Sequence, residues 1–166
     1  LLQLGERLLR FCRQCAWPYS HSDIAATPGF DQVYVQRYMP GTVSATLGYH
    51  FDSFNHFDEL IVGVTLTGHG HLLLKRTGGK LSDFVENTEG EVASSKTLAI
   101  PLQPLSFYAM TGMSRFDLKH AAITSGSEER ISLTFRALVP RERQRFAKMA
   151  PTPWMGCAAG ADGGMV

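Results

Sequence analysis

The chain has 166 residues, 44% of them hydrophobic and 19% charged, with a net charge of +1 and a pI near 7.9. That length suits a single domain with its own core, and the near-neutral balance excludes a globally basic nucleic-acid binder, so any phosphate contact has to come from a local patch. No apolar run is long enough to cross a bilayer, and three cysteines, an odd number, argue against a secreted disulfide scaffold and for a reducing, intracellular setting in cytoplasm or nucleus.

The first residue is Leu1 rather than Met, and no charged leader precedes an apolar stretch. The expectation is a piece of a longer protein. Leu1, Leu4, Leu8, Phe11, Cys12 and Cys15 recur at helical spacing, with Glu6, Arg10, Arg13 and Gln14 between them. This predicts an amphipathic helix over 1–16, ended by Trp17-Pro18. Cys12 and Cys15 make a lone C-x-x-C. A redox or half-zinc site is one reading, and two thiols on the buried helix face is the preferred one.

After residue 30 the period changes to two. In FDQVYVQRYM (30–39), Val33 and Val35 alternate with Gln32, Tyr34, Gln36 and Tyr38, and Pro40-Gly41 turns the chain. Short β-rich runs follow at 60–66, 71–75, 97–102, 105–110, 115–123 and 130–138, with turn signals at 77–79 and 87–90. One helix followed by about eight strands predicts an α+β chain, mainly β, built as a two-sheet barrel or jelly roll. Arg141, Arg143, Arg145 and Lys148 read as a solvated helix face. The domain is expected over 1–148. The small, Gly/Ala-rich tail over 149–166 is expected to be disordered.

The segment GYHFDSFNHFDELIVGVTL (48–66) holds the tripeptide His-Phe-Asp twice, at His50–Asp52 and His56–Asp58. On an extended strand, residues i and i+2 share a face. A histidine and a carboxylate there supply two ligands of a facial iron site. Residues alone leave open which pair binds metal. The third ligand should be a distant histidine, and His21, His69, His71 and His120 are the others in the chain. His69 and His71, in a G-H-G-H run, would suit a cupin-type binding module. Arg130, Ser132, Thr134 and Arg136 share one face of the last run, and Ile131, Leu133 and Phe135 share the other. The apolar face is expected against the second sheet. The polar face reads equally as an anion pocket or as exposed surface, because a guanidinium fork matches a carboxylate.

RISLTFRAL (130–138) resembles the R-x5-R signature strand of the AlkB-type Fe(II)/2-oxoglutarate dioxygenases. VQRYMPG (35–41) is similar to that family's N-x-Y-x-P-G strand and turn. HFDSFNHFDELIVGVTL resembles its iron motif and the following I-V strand, and MTGMSRFDLKHAAI (110–123) its G-x-S-R…H-x-I segment. The four motifs come in the family's order across residues 30–138. In that family the iron His-x-Asp precedes the I-V strand by about eight or nine residues. Eight residues (53–60) lie between Asp52 and Ile61-Val62, and only two between Asp58 and Ile61.

The resemblance therefore implies a double-stranded β-helix with an N-terminal helix. It implies Fe(II) held by His50, Asp52 and His120, with His56 and Asp58 in the loop that follows. It implies 2-oxoglutarate held by Arg130 at its distal carboxylate and by Tyr38, with Arg136 close to both cosubstrate and ligand carboxylate. Gln36 and Ser132 stand where the family has asparagine. The implied reaction oxidises an N-alkyl group on a nucleobase of RNA or DNA, transfer RNA included, and releases formaldehyde, succinate and carbon dioxide. A nucleotide-recognition lid would precede Leu1. No membrane partner is implied, and a monomer is the default state. Alternatives are a same-fold dioxygenase acting on a protein side chain or small molecule, and a non-enzymatic cupin-like module.

Overall fold

The computed structural model describes residues 1–15, 24–42, 45–76 and 97–149. Helix α1 spans Leu2–Gln14. Eight strands follow among the described residues: β1 Gln32–Tyr38, β2 Thr46–His50, β3 Phe57–Thr67, β4 His69–Arg76, β5 Thr97–Leu102, β6 Ser106–Met110, β7 Leu118–Ser125 and β8 Arg130–Leu138. A short helix α2 (Gly112–Phe116) precedes β7, and α3 (Pro140–Lys148) follows β8. The strands pair antiparallel in two four-stranded sheets, ordered β1-β8-β3-β6 and β2-β7-β4-β5. This is a cupin-like double-stranded β-helix, mainly β with an N-terminal helix, as the strand spacing suggested. Gly68 makes the tight turn from β3 to β4 at a φ of +69°, and a Cβ there would sit 2.4 Å from the Glu129 carbonyl oxygen.

Strand alternation held, but the faces are exchanged relative to expectation. Leu133 and Phe135 of β8 do not pack on the second sheet. They join Leu60, Val62 and Val64 of β3 under Leu8, Leu9 and Cys12 of α1, outside the barrel. The helix supplies the apolar partner that periodicity alone assigned to a sheet. It approaches closely at Gly5, where a Cβ would lie 3.2 Å from the Phe135 ring. Each large apolar side chain buried here contributes about 1.5–3 kcal/mol. The polar face of β8 turns inward instead. There it meets a smaller apolar cluster of Ile61, Leu72, Leu74, Leu102 and Met110 between the sheets.

The buried stripe of α1 is also rotated from the expected one. Gly5, Leu8, Leu9 and Cys12 are buried, while Leu1 and Phe11 are exposed and Cys15 is half-buried. Phe11 packs edge-on to Phe107. Burial pushes the Cys12 thiol up to about 11, with Cys15 adding to it, which makes Cys12 a core residue rather than a reactive thiolate. The run 115–123, expected as one strand, begins as α2. In α3, Arg143 pairs with Asp31 at the start of β1 and also donates to the Gly29 carbonyl (3.3 Å). Trp17-Pro18, His21, the turn signals at 77–79 and 87–90, and the tail beyond Met149 lie outside the described residues. No helix among the described residues is long and apolar enough to cross a membrane.

Candidate metal centre

Register builds the site. His50 closes β2 directly opposite His120 of β7, so both rings project from one face of their sheet, with centroids 4.2 Å apart. The chain leaves the strand after His50, and Asp52 turns back inward beside them. One ligand atom from each of His50, Asp52 and His120 lies within 4.8 Å of the other two. That set can hold a metal ion.

The surroundings fit this use. His50 Nδ1 lies 2.8 Å from the Gly48 carbonyl oxygen, so Nδ1–H donates there and Nε2 keeps its lone pair for a cation. Asp52 Oδ1 accepts from Arg136 Nη2 at 2.6 Å. Its other oxygen, Oδ2, is buried with no hydrogen-bond partner and stands 3.4 Å from His120 Nε2. Two ligands about 2.1 Å from one metal at right angles would be about 3.0 Å apart. Burial alone pushes the Asp52 carboxyl up, but His120 and Arg136 together outweigh it and hold Asp52 below the usual carboxylate range. Burial, with smaller contributions from His120 and Arg136, lowers His50 despite the Gly48 hydrogen bond, so its neutral form is favoured. A charged carboxylate and a neutral imidazole are the ligand states a divalent cation needs.

The facing sheet presents the remaining residues. Pairing of β1 with β8 sets Tyr38 opposite Arg130, Gln36 opposite Ser132 and Gln32 opposite Arg136. The motif around Tyr38 and the R-x5-R strand are thus hydrogen-bonded neighbours, and their side chains line one cavity with the three candidate ligands. Arg130 is 2% exposed and lies over the Tyr38 ring, 4.8 Å from its centroid. It donates from Nη2 to Thr65 Oγ1 (3.1 Å), while its Nε and Nη1 are buried without partners. The Tyr38 hydroxyl donates to Gln36 Oε1 (3.1 Å). Arg136 donates to Gln32 Oε1 (3.0 Å) besides holding Asp52.

Other expected residues fall elsewhere. His56 is exposed, and its Nδ1 meets Ser53 Oγ at 2.9 Å. Asp58 accepts from the Glu59 amide (2.8 Å). His69 is exposed and His71 half-buried on β4, and neither joins the candidate ligand cluster among the described residues.

Sequence reasoning gave no role to Arg115, which is 1% exposed. Its guanidinium donates to four backbone carbonyls: Asp52 (3.0 Å), Ser53 (3.2 Å), Phe57 (3.3 Å) and Asp58 (3.5 Å). It fastens the loop that carries Asp52. The only signal was its place in the quoted S-R dipeptide. Tyr108 was also missed. Its ring occupies the space a Cβ at Gly63 would need (2.2 Å), and it reaches the cavity beside Tyr38 and Arg130. Burial, with a contribution from Tyr38, pushes its hydroxyl up to about 12, so it stays protonated.

No protein-family model and no curated protein matches this chain. Similar solved structures include the Drosophila melanogaster CENP-C cupin domain, at 7% identity and TM-score 0.41 over 81% of this chain and 97% of that one. Hydroquinone 1,2-dioxygenase PnpCD gives 12% identity and TM-score 0.41 over 80% and 72%. E. coli ycfD gives 14% identity and TM-score 0.36 over 98% of this chain but only 41% of that one. These likenesses concern architecture and say nothing of chemistry.

Proposed function

We propose that this chain is an AlkB-type Fe(II)- and 2-oxoglutarate-dependent dioxygenase that oxidises alkylated nucleobases in RNA or DNA. The observation that carries the reading is Arg130. A guanidinium stays charged at any physiological pH, and burying it without a counter-charge is costly. Two of its donors are buried and unpaired in the cavity that also holds His50, Asp52 and His120. A cavity with a three-ligand metal set at one place and a forked cation at another suits a small acid that chelates the metal and carries a second, distal carboxylate. 2-Oxoglutarate is that acid.

In this reading His50 Nε2, Asp52 Oδ2 and His120 Nε2 would hold the iron. Arg136 engages Asp52 Oδ1 and leaves Oδ2 free to serve as a ligand. Arg130 and Tyr38 bind and orient the cosubstrate, with Gln36 and Ser132 beside them. Tyr108 and Thr65 close the pocket around Arg130 and exclude water. Iron, when bound, supplies the oxidation. One 2-oxoglutarate and one dioxygen give succinate, carbon dioxide and a hydroxylated substrate C–H bond, and an N-hydroxymethyl product then loses formaldehyde to leave N–H.

Anaerobic titration with Fe(II) and 2-oxoglutarate tests the class. A visible charge-transfer band should form in the wild-type chain and fail to form in His50→Ala, and no band in the wild type would sink the reading. Formaldehyde release is then compared on methylated oligonucleotides and methylated peptides. Release on peptides alone would move the protein to a protein-acting dioxygenase. Bound metal lost from His69→Ala and kept by His50→Ala would favour the cupin-like module.

A further inference from the structure

The barrel wall that carries the histidines has a second face. Along 49–52 the side chains alternate, with His50 and Asp52 directed inward and Tyr49 and Phe51 outward. In β7 and β4, His120 is paired with Leu74 on the inner face, so Lys119 and its register partner Lys75 stand side by side on the outer one. Lys75 Nζ lies over the Tyr49 ring, 5.6 Å from its centroid, and Lys119 Nζ over the Phe51 ring at 5.9 Å. Tyr49 lies across the sheet far enough for its hydroxyl to reach Thr97 Oγ1 on β5 (3.5 Å), and it is 39% exposed. Phe51 packs against the exposed Phe54 with the rings tilted, centroids 5.2 Å apart.

Like charges directly opposite on paired strands destabilise a sheet. Among the described residues no carboxylate lies within ion-pair distance of either lysine, whereas Arg37, Arg141, Arg143 and Arg145 each have one. A cation over an aromatic ring keeps its full charge. Two ammonium groups with no ion-pair partner among the described residues, set on half-exposed rings, combine a backbone-tracking charge with a stacking platform, which is what single-stranded nucleic acid requires. The patch is also local, as a chain of net charge +1 demands. Its residues are the immediate sequence neighbours of His50, Asp52 and His120, on the opposite face of the same barrel wall.

We propose that Lys75, Lys119 and the Tyr49 and Phe51 rings form a docking surface for the phosphate backbone of a single nucleic-acid strand. The choice of partner rests on the dioxygenase reading above, but the test does not. Binding of a labelled, unmodified single-stranded oligonucleotide to the 166-residue chain is measured across a salt series. Each lysine that neutralises a phosphate should contribute about 0.7 to the slope of log affinity against log salt. Lys75→Gln with Lys119→Gln should therefore flatten the slope by about 1.4, and either change alone by about 0.7. Tyr49→Leu should weaken binding roughly tenfold at every salt concentration with the slope unchanged. Relief of the opposed charges should leave the thermal midpoint of the double variant equal or higher, which separates a lost contact from a lost fold.

An unchanged slope in the folded double variant would overturn the proposal, since the lysines would then be neutralised within the chain. Asp83, Glu86, Glu89 and Glu91 lie in the sequence between β4 and β5. Stronger lysine-dependent binding to phosphatidylserine vesicles than to the oligonucleotide would also overturn it, by assigning the patch to a membrane surface. Failure of the dioxygenase reading appears separately, as absence of the charge-transfer band in the unmodified chain.

Discussion

The same tripeptide, His-Phe-Asp, occurs twice within nine residues and meets two fates. At 50–52 the histidine closes a strand opposite His120, the phenylalanine points out, and Asp52 is buried against Arg136. At 56–58 the histidine is exposed in a turn, and Phe57 and Asp58 open β3, where the Asp58 carboxylate accepts the next amide. Composition cannot distinguish them. What separates them is the strand opposite. The first pair has β7 beside it with a histidine in register, and the second meets Leu138 of β8 at Phe57.

The sharpest way to break this contrast is to remove one carboxylate. Asp52→Ala should abolish iron binding and leave Arg136 largely buried without its counter-ion, costing about 3–5 kcal/mol in the metal-free protein. His56→Ala should lose the Ser53 hydrogen bond and the edge contact with Phe57, about 0.5–1 kcal/mol, and keep its iron. Iron analysis with denaturant melts checks both, and iron retained by Asp52→Ala but lost from His56→Ala would reverse the assignment.

Arg130 carries the next largest effect. Truncating one partner of a desolvated charge pair typically costs about 2–5 kcal/mol. Arg130→Ala should thus weaken 2-oxoglutarate by roughly 30-fold to several thousand-fold, and Arg136→Ala should weaken it less. Iron affinity in Arg130→Ala should hold. Unchanged cosubstrate affinity there would detach the arginine strand from the first His-x-Asp.

Arg115 joins the two tripeptides, since it bonds carbonyls of Asp52 and Ser53 on one side and of Phe57 and Asp58 on the other. Burial disfavours its charged form, so those acceptors matter. Arg115→Ala should cost on the order of 3 kcal/mol through stranded carbonyls and weaken iron by loosening Asp52. Arg115→Lys should restore part of both. Iron affinity unaffected by Arg115→Ala would show that Asp52 is positioned without the loop clamp.

Acid should produce the smallest effect, and it acts on the first pair. The His50 pKa is lowered from 6.5, so the unfolded chain takes up protons first. The stability this contributes is complete above 6.5 and is lost as pH falls through the folded value. The Asp52 pKa is lowered from 3.8, so its contribution is complete above 3.8 and disappears at still lower pH. The denaturation midpoint of the metal-free protein should fall in two stages on acidification. A profile that stays flat from neutral pH to well below pH 3.8 would contradict both shifts.

Much of this was legible in the chain itself. Alternation in 32–38 and 130–138 fixed which side chains share a face, because a strand's period of two is a property of the backbone. The spacing from Asp52 to the I-V strand, set against a family resemblance, singled out one His-x-Asp of the two. Periodicity does not say which face turns inward. The apolar side of β8 was expected against the other sheet and lies under α1 instead, because Leu8, Leu9 and Cys12 offered it a drier partner. Nor does it say which strands become neighbours. Tyr38 stands beside Arg130, and His50 beside His120, only because segments far apart in sequence pair in one register. Arg115 was invisible for the same reason. Its partners are backbone carbonyls, which every residue possesses, and only the folded loop gathers four of them around one guanidinium.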